Sequence, residues 1–372
     1  MFVFVCAGCG AELTAPLSQV ALPVHAHQSY GNGIQLPVLM ESGTYAVNPE
    51  PSGPPWRRWE EIDPDEAAAR GVYAPVHSLS DGVPGAVVVA PGDTRGTVFV
   101  PEKRGGACCG IDGADGPNMA CATCGLPVAS RIDDCSLWQA VWLAPDAVRR
   151  VNVGGAGPAP LSWAELAAEW TAEGKGTPPF EPIAAWWGRP ASDFFWSWSP
   201  RWEAAAGRAL AHLLAASEGR RVNVPEGLTA VVFQRALDAM LLTGPPVRRA
   251  VLAGPGLPAP DPDAGILLVP EHTRTGEAWA PAGSVGSACR VPLPFGIWRW
   301  LSLPEPHPPV PASGVLPDGV LRDDPPAPGP HRVFRMDRNT FEHTLVRLPP
   351  VRDPWLRAIL ADLRNPELAR LF

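Results

Sequence analysis

Apolar positions along the chain follow two different rhythms. Up to residue 153 they come in short runs, at 1–5, 86–90, 97–101, 126–132 and 137–143. Most are closed by proline or glycine, and runs of this length rich in Val, Phe, Ile and Trp predict β-strands. One helix interrupts them. Asp63 offers an N-cap oxygen, Pro64 suits the first helical position, and Asp65 and Glu66 face the positive end of the helix dipole before Arg70-Gly71 closes it. Residues 48–55 read as a surface loop, and 154–160, Gly-Gly-Ala-Gly-Pro-Ala-Pro, as a linker.

Beyond the linker the rhythm lengthens to that of helices. Ser162-Trp163-Ala164-Glu165 is a capping-box pattern with Gly174 as its stop. Ser199-Pro200 opens a longer helix reaching about Ser217, on which Trp202, Ala206, Leu210, Leu213 and Leu214 form one stripe. A third spans 229–242, with Val232, Leu237, Met240 and Leu241 inward and Gly244-Pro245-Pro246 beyond it. Strand-like runs then return at 247–252, 266–269, 288–293, 297–303 and 332–336, separated by proline-rich loops at 254–263 and 304–330. An amphipathic helix starting at Pro354-Trp355 and broken near Asn365-Pro366 ends the chain, and Trp355, Ile359 and Leu363 mark it as a docking helix for its own domain. The pattern predicts an α+β protein: a β-rich N-terminal domain over 1–153 and, over 154–372, a domain of helices followed by strands. Residues 86–108 and 265–289 share a Thr-Arg turn between apolar runs, a faint sign of duplication that two unrelated hairpins of the same composition would also give.

Composition narrows the classes. Charged residues form 18% of 372, below the usual quarter, and Pro (47) with Gly (37) stays just short of the ~25–30% typical of low-complexity chains, so the protein is expected to fold. The excess of Ala, Pro, Arg and Gly, with Lys103 and Lys175 as the two lysines, matches the codon bias of a GC-rich bacterial genome. A net charge of −8 and a pI near 5.5 repel phosphate backbones, which makes nucleic-acid binding an unfavoured reading. Residues 1–5 have no basic flank and reach Cys6 too early for an export signal, and no apolar run nears the ~20 residues of a membrane span. A soluble, cytoplasmic protein is therefore expected, in which eight cysteines are thiols or metal ligands rather than disulfides.

Four of those cysteines form near copies of one unit, Cys6-Ala7-Gly8-Cys9-Gly10 and Cys121-Ala122-Thr123-Cys124-Gly125. A Cys-x-x-Cys turn aims two thiolates at one ion, and the following glycine supplies the positive φ that turns backbone N–H groups toward sulfur. A strand enters the first unit and a strand leaves the second. In this the sequence resembles the knuckles of a zinc ribbon, over two short pieces of the chain and without any family's function attached. The resemblance implies a structural Zn2+ held by Cys6, Cys9, Cys121 and Cys124 in an interrupted ribbon. The pairs are separated by residues 10–120, 111 positions, against ~15–20 in a compact ribbon, so a shared ion makes those residues an insertion that returns to its origin. Two alternatives stand beside it: a local site of Cys121, Cys124 and Cys135 with Cys108 or Cys109, and no metal at all.

Other motifs are weaker. The vicinal Cys108-Cys109 lies in a Gly- and Asp-rich loop and reads as a redox pair, a collar on the metal, or plain turn residues; Asp112 and Asp115 lack the alternation of a calcium loop. Cys135 reads as a buried thiol or spare ligand, Cys289 as core. His25 and His27 would share a face if residues 22–27 were extended, as a metal pair or as ordinary hydrogen-bonded residues; the remaining histidines are scattered singly. Trp186, Trp187, Phe194, Phe195, Trp196, Trp198 and Trp202 crowd together as core or as a groove for a partner, and Trp298 and Trp300 would share one face of a strand. No Gly-x-Ser-x-Gly, His-Glu-x-x-His or Gly-Lys-Ser/Thr signature is present, and Gly154-Gly155-Ala156-Gly157 is no dinucleotide loop. The leading expectation is a zinc-stabilised interaction or accessory protein that binds a protein partner. An enzyme with a pocket between the domains is the alternative, and a specific nucleic-acid binder acting through the ribbon comes third.

Overall fold

In a computed structural model the chain is described over residues 1–29, 36–106, 110–154, 161–173, 177–184, 194–241, 247–281, 288–303 and 333–372, without the side chains of 169–173, 181–184 and 194–196. Cys108, Cys109, Trp186, Trp187, Gly174, residues 155–160, 244–246 and 304–330, and the lone His307 and His331 lie outside the described residues. The fold is α+β, as the pattern predicts. The N-terminal part is built from β1 (Phe2–Cys6), β2 (Ser18–Gln19), β3 (Thr44–Val47), β4 (Trp56–Arg58), α1 (Pro64–Ala69), β5 (Ser78–Ser80), β6 (Val87–Val89), β7 (Thr97–Phe99), β8 (Met119–Cys121), β9 (Pro127–Ile132), β10 (Ala140–Leu143) and β11 (Val148–Asn152). Seven of these strands form one sheet in the order β2-β3-β6-β10-β9-β8-β7, while β1 pairs antiparallel with β11 and β4 with β5.

Alternation along the sheet divides the core in two. Val87 and Val89 join Phe4, Leu13, Tyr45, Met119 and Val141 beneath the first strand, whereas Val88 points to the other face with Leu39, Ala46, Trp138 and Ala140. The Asp63 cap forms as expected, its carboxylate accepting from the N–H groups of Asp65 and Glu66. The small unit around α1 packs outward from the sheet: Ile62, Ala67, Val72, Ala74 and Leu79 share a hydrophobic cluster with residues from Leu166 to Leu371.

The C-terminal part runs α2 (Trp163–Glu173), β12 (Phe180–Ala184), β13 (Phe194–Trp198), α3 (Pro200–Ser217), β14 (Arg221–Asn223), α4 (Leu228–Met240), β15 (Val247–Leu252), β16 (Ile266–Glu271), β17 (Cys289–Pro294), α5 (Phe295–Ser302), α6 (Arg338–Leu345), α7 (Pro354–Asp362) and α8 (Pro366–Ala369). β14 to β17 form a parallel sheet in chain order. α3 carries the expected stripe, with Trp202, Ala206, Leu210, Leu213 and Leu214 buried, and Leu356, Ile359 and Leu363 seat the last long helix on the same cluster.

Three expectations fail. Residues 297–302 are not a strand but most of α5, which starts directly from the end of β17; Phe295, Trp298 and Leu301 repeat every third position and are buried, while Arg299 and Ser302 form a less buried side, so the run carries a helical period that a strand reading of its two tryptophans passes over. Residues 22–27 are not extended, because Val24–His27 form a 3₁₀ turn after Pro23. The described part of 332–336 joins no sheet; Met336 and Asp337 instead donate single hydrogen bonds to Leu371 and Glu203 carbonyls. The two Thr-Arg turns also differ in setting, since β6 is paired antiparallel and β16 parallel.

Candidate metal centre

The first knuckle is the end of β1. Cys6 stands opposite Val148 of β11, its N–H donates to the Ala11 carbonyl at 2.8 Å, and Gly10 donates back to the Cys6 carbonyl at 2.9 Å. The second knuckle is the end of β8. Cys121 stands opposite Thr97 of β7, its N–H donates to Leu126 at 2.8 Å, and Gly125 donates to Cys121 at 2.8 Å. Both glycines have φ of 77°, where a Cβ is strained, so the two turns repeat one geometry.

The turns face each other. The four sulfurs all lie within 4.8 Å of one another, a group that could hold a metal ion. The sulfurs of Cys6 and Cys124 are 3.6 Å apart, as are those of Cys9 and Cys121. A tetrahedral ion with metal–sulfur bonds of ~2.3 Å needs edges of about 3.8 Å; the two 3.6 Å edges match this, and the remaining ones lie within 4.8 Å. Each knuckle contributes one buried cysteine, Cys6 or Cys121, and one exposed cysteine, Cys9 or Cys124.

Electrostatics agrees with a cation-seeking set. The N–H groups of Cys124 and Thr123 and the neighbouring thiols hold the Cys121 thiol down at about 6 despite desolvation. The Ala11 N–H also draws Cys9 down, but desolvation and the sulfurs of Cys124, Cys121 and Cys6 outweigh it and push that thiol up to about 12. One thiolate forms readily; the next ones repel it until a positive charge sits among them. Arg149, opposite Val5 on β11, brings a guanidinium nitrogen to 4.0 Å from where a Cβ on Gly10 would stand, a countercharge beside the first knuckle.

The remaining candidates fall elsewhere. Cys135 is buried and Cys289 half-buried, and neither belongs to the sulfur cluster. His25 packs at a tilt against Trp138, ring centroids 4.3 Å apart, and is held neutral by burial and by Arg201, which lower it to about 3. His27 stacks on His343 at 4.7 Å; His343 donates to Glu50 at 3.0 Å, and Arg347 reaches the same oxygen at 2.5 Å. Burial opposes ionisation of Glu50, but His343 and Arg347 hold its carboxyl down at about 2. This cluster joins residues far apart in the chain, Glu50 to Arg347 across 297 positions and His27 to His343 farther still, so nothing in the linear pattern marks it. Of the crowded aromatics, Trp198 is buried against Phe180 and Phe334, and Trp202 is buried with its indole N–H on the Thr177 carbonyl at 2.8 Å. Trp298 and Trp300 are buried too. Arg57, beside the α1 unit, is engaged by Glu66 and Asp81. A feature with no sequence signal is a cavity of about 660 Å³ lined by Ser29, Trp198, Glu203, Arg335, Asp337 and Phe372 among others. Among the described residues no helix is long and apolar enough to cross a membrane. Comparison with protein-family models, with curated proteins and with solved structures finds no match to this chain.

Proposed function

We propose that Cys6, Cys9, Cys121 and Cys124 hold a structural zinc ion, and that the chain is a cytoplasmic zinc-stabilised interaction or accessory protein that binds a protein partner. The observation that carries the metal assignment is the closed set of four sulfurs on two matching turns. With four thiolates bound, no coordination position is left for water or substrate, so the ion stabilises the fold instead of running a reaction. Support for a partner comes from β7, an edge strand beside the second knuckle with Val98 51% and Phe99 39% exposed. Such an edge offers unpaired backbone groups and apolar side chains to another chain. Sulfur tetrahedra also suit iron, which would colour the protein. Elemental analysis of purified chain tests the assignment: one zinc per chain is expected, lost in Cys6→Ser and in Cys121→Ser together with a fall in thermal stability. Full occupancy in Cys6→Ser sinks the shared site.

The cavity supports a second reading, an enzyme with its pocket between the two parts of the chain. It brings Ser29 of the N-terminal part to Glu203 and Asp337, and burial raises the Asp337 carboxyl against the hydrogen bonds from Thr340. A small-molecule thermal-shift screen would reveal a ligand here, and its shift should vanish in Asp337→Asn; no shift from any compound removes the reading.

A further inference from the structure

The cross-pairing of the sulfurs has a chemical consequence. Each 3.6 Å pair joins the sulfur of an exposed cysteine to that of the buried cysteine of the other knuckle: Cys124 with Cys6, and Cys9 with Cys121. A peroxide arriving from solvent meets the exposed Cys9 or Cys124 first, and a buried cysteine of the other knuckle stands 3.6 Å across the centre from each. We infer that hydrogen peroxide converts the centre into two disulfides between the knuckles, Cys6–Cys124 and Cys9–Cys121, releasing the metal while leaving the two ends of the insertion joined. The inference rests on the proposal that these sulfurs hold a zinc ion only for the release step.

The exposed thiolate attacks peroxide, giving a sulfenic acid and hydroxide that is protonated to water; the buried sulfur then attacks the sulfenic sulfur, forming S–S and expelling the hydroxyl as a second water. For the whole centre, a zinc tetrathiolate dianion, two peroxides and four protons give Zn2+, two disulfides and four waters. Four sulfurs lose one electron each and two peroxides gain two each. Cross-linking residue 6 to 124 closes a loop over more than a hundred residues, the situation in which a disulfide restricts the unfolded chain most. Oxidation would thus exchange an ionic staple for a covalent one. Disulfides within each turn, Cys6 to Cys9 and Cys121 to Cys124, would release the metal and leave the two knuckles unjoined.

Trypsin separates these outcomes, because Cys6 and Cys9 fall in the peptide ending at Arg57, and Cys121 and Cys124 in the one between Arg104 and Arg131. Full-length protein carrying Cys108→Ser and Cys109→Ser, assayed for metal first, is treated with a ten-fold excess of hydrogen peroxide. Metal release is followed with a chromogenic chelator and digests are run without reductant. The expected result is a species linking the two peptides, abolished by dithiothreitol and reduced at least ten-fold in Cys9→Ser with Cys124→Ser. The oxidised, metal-free protein should melt well above the reduced, metal-free protein. Unlinked peptides with internal disulfides, or sulfurs untouched by peroxide, overturn the inference even if one zinc per chain is found. A linked species from protein that never held metal retains it and overturns the zinc assignment alone.

Discussion

At the scale of single residues, the centre depends on two glycines as much as on four cysteines. Gly10 and Gly125 both sit at φ of 77° and both donate to the carbonyl of the first cysteine in their turn. An L side chain in that region costs ~1–2 kcal/mol. Gly10→Ala and Gly125→Ala should each lower unfolding free energy by about that amount in denaturant titrations and weaken metal retention against a chelator. The spacing Cys-x-x-Cys-Gly made this legible, because local chemistry dictates the turn. His25 was visible as a residue but not in its role. Its Nε2 is buried without a hydrogen bond, and burial holds the ring neutral with a pKa of about 3. The sign follows from proton counting: below pH 6.5 the unfolded chain takes up a proton that the folded chain refuses, so stability falls as pH drops toward the folded value. His25→Phe removes that difference. Its stability relative to the parent should rise by about 2 kcal/mol between pH 7 and pH 5, read from paired denaturation curves at the two pH values.

Among elements, α3 is both the most legible and the most constrained. Its stripe could be read from sequence because a long helix with one apolar face has a strong period. Its crossing with α6 could not. At Gly207 a Cβ would lie 2.5 Å from the Asp337 carbonyl oxygen and 3.2 Å from the Phe341 nitrogen, so the helices meet backbone to backbone. Helix propensity alone says that Gly207→Ala stabilises by up to ~1 kcal/mol. The contact says the reverse, since the backbone of α6 has no flexible end to move aside. Gly207→Ala should therefore lower the denaturation midpoint, and an unchanged or raised midpoint would show that α6 yields. The same limit explains α5. The tryptophans and Ile297 in 297–303 favour a strand locally, and the burial of Phe295, Ile297, Trp298 and Leu301 on one side of a helix decides against it. Pairing of β1 with β11 was equally hidden, because short strands specify partners through distant packing and not through their own composition.

Across the whole molecule the centre is mechanically connected to the helical part. Cys6 and Cys121 belong to the cluster beneath the seven-stranded sheet, with Val87, Val89 and Val141. The other face of that sheet holds Trp138, whose indole N–H donates to Gln28 at 3.1 Å, and Gln28 in turn donates to the Pro200 carbonyl at 3.0 Å, at the start of α3. A second connection runs through the α1 unit, where Tyr73 N–H donates to Val346 at 2.7 Å and Ile62, Ala67 and Val72 enter the C-terminal cluster. Buried hydrogen bonds of this kind cost a good deal to leave unmade, so the two parts should open together. Withdrawing the metal then becomes a test of cooperativity. Chelation should accelerate amide exchange in β1 and β8 and, by a similar factor, in α3, as followed by hydrogen-exchange mass spectrometry. Gln28→Leu removes the bridge while keeping the volume, and should leave the response of β1 intact while reducing that of α3. If α3 keeps its full protection in the unaltered chain after the metal is gone, the ion stabilises the front of the chain alone, and whatever the rest of the protein does proceeds without it.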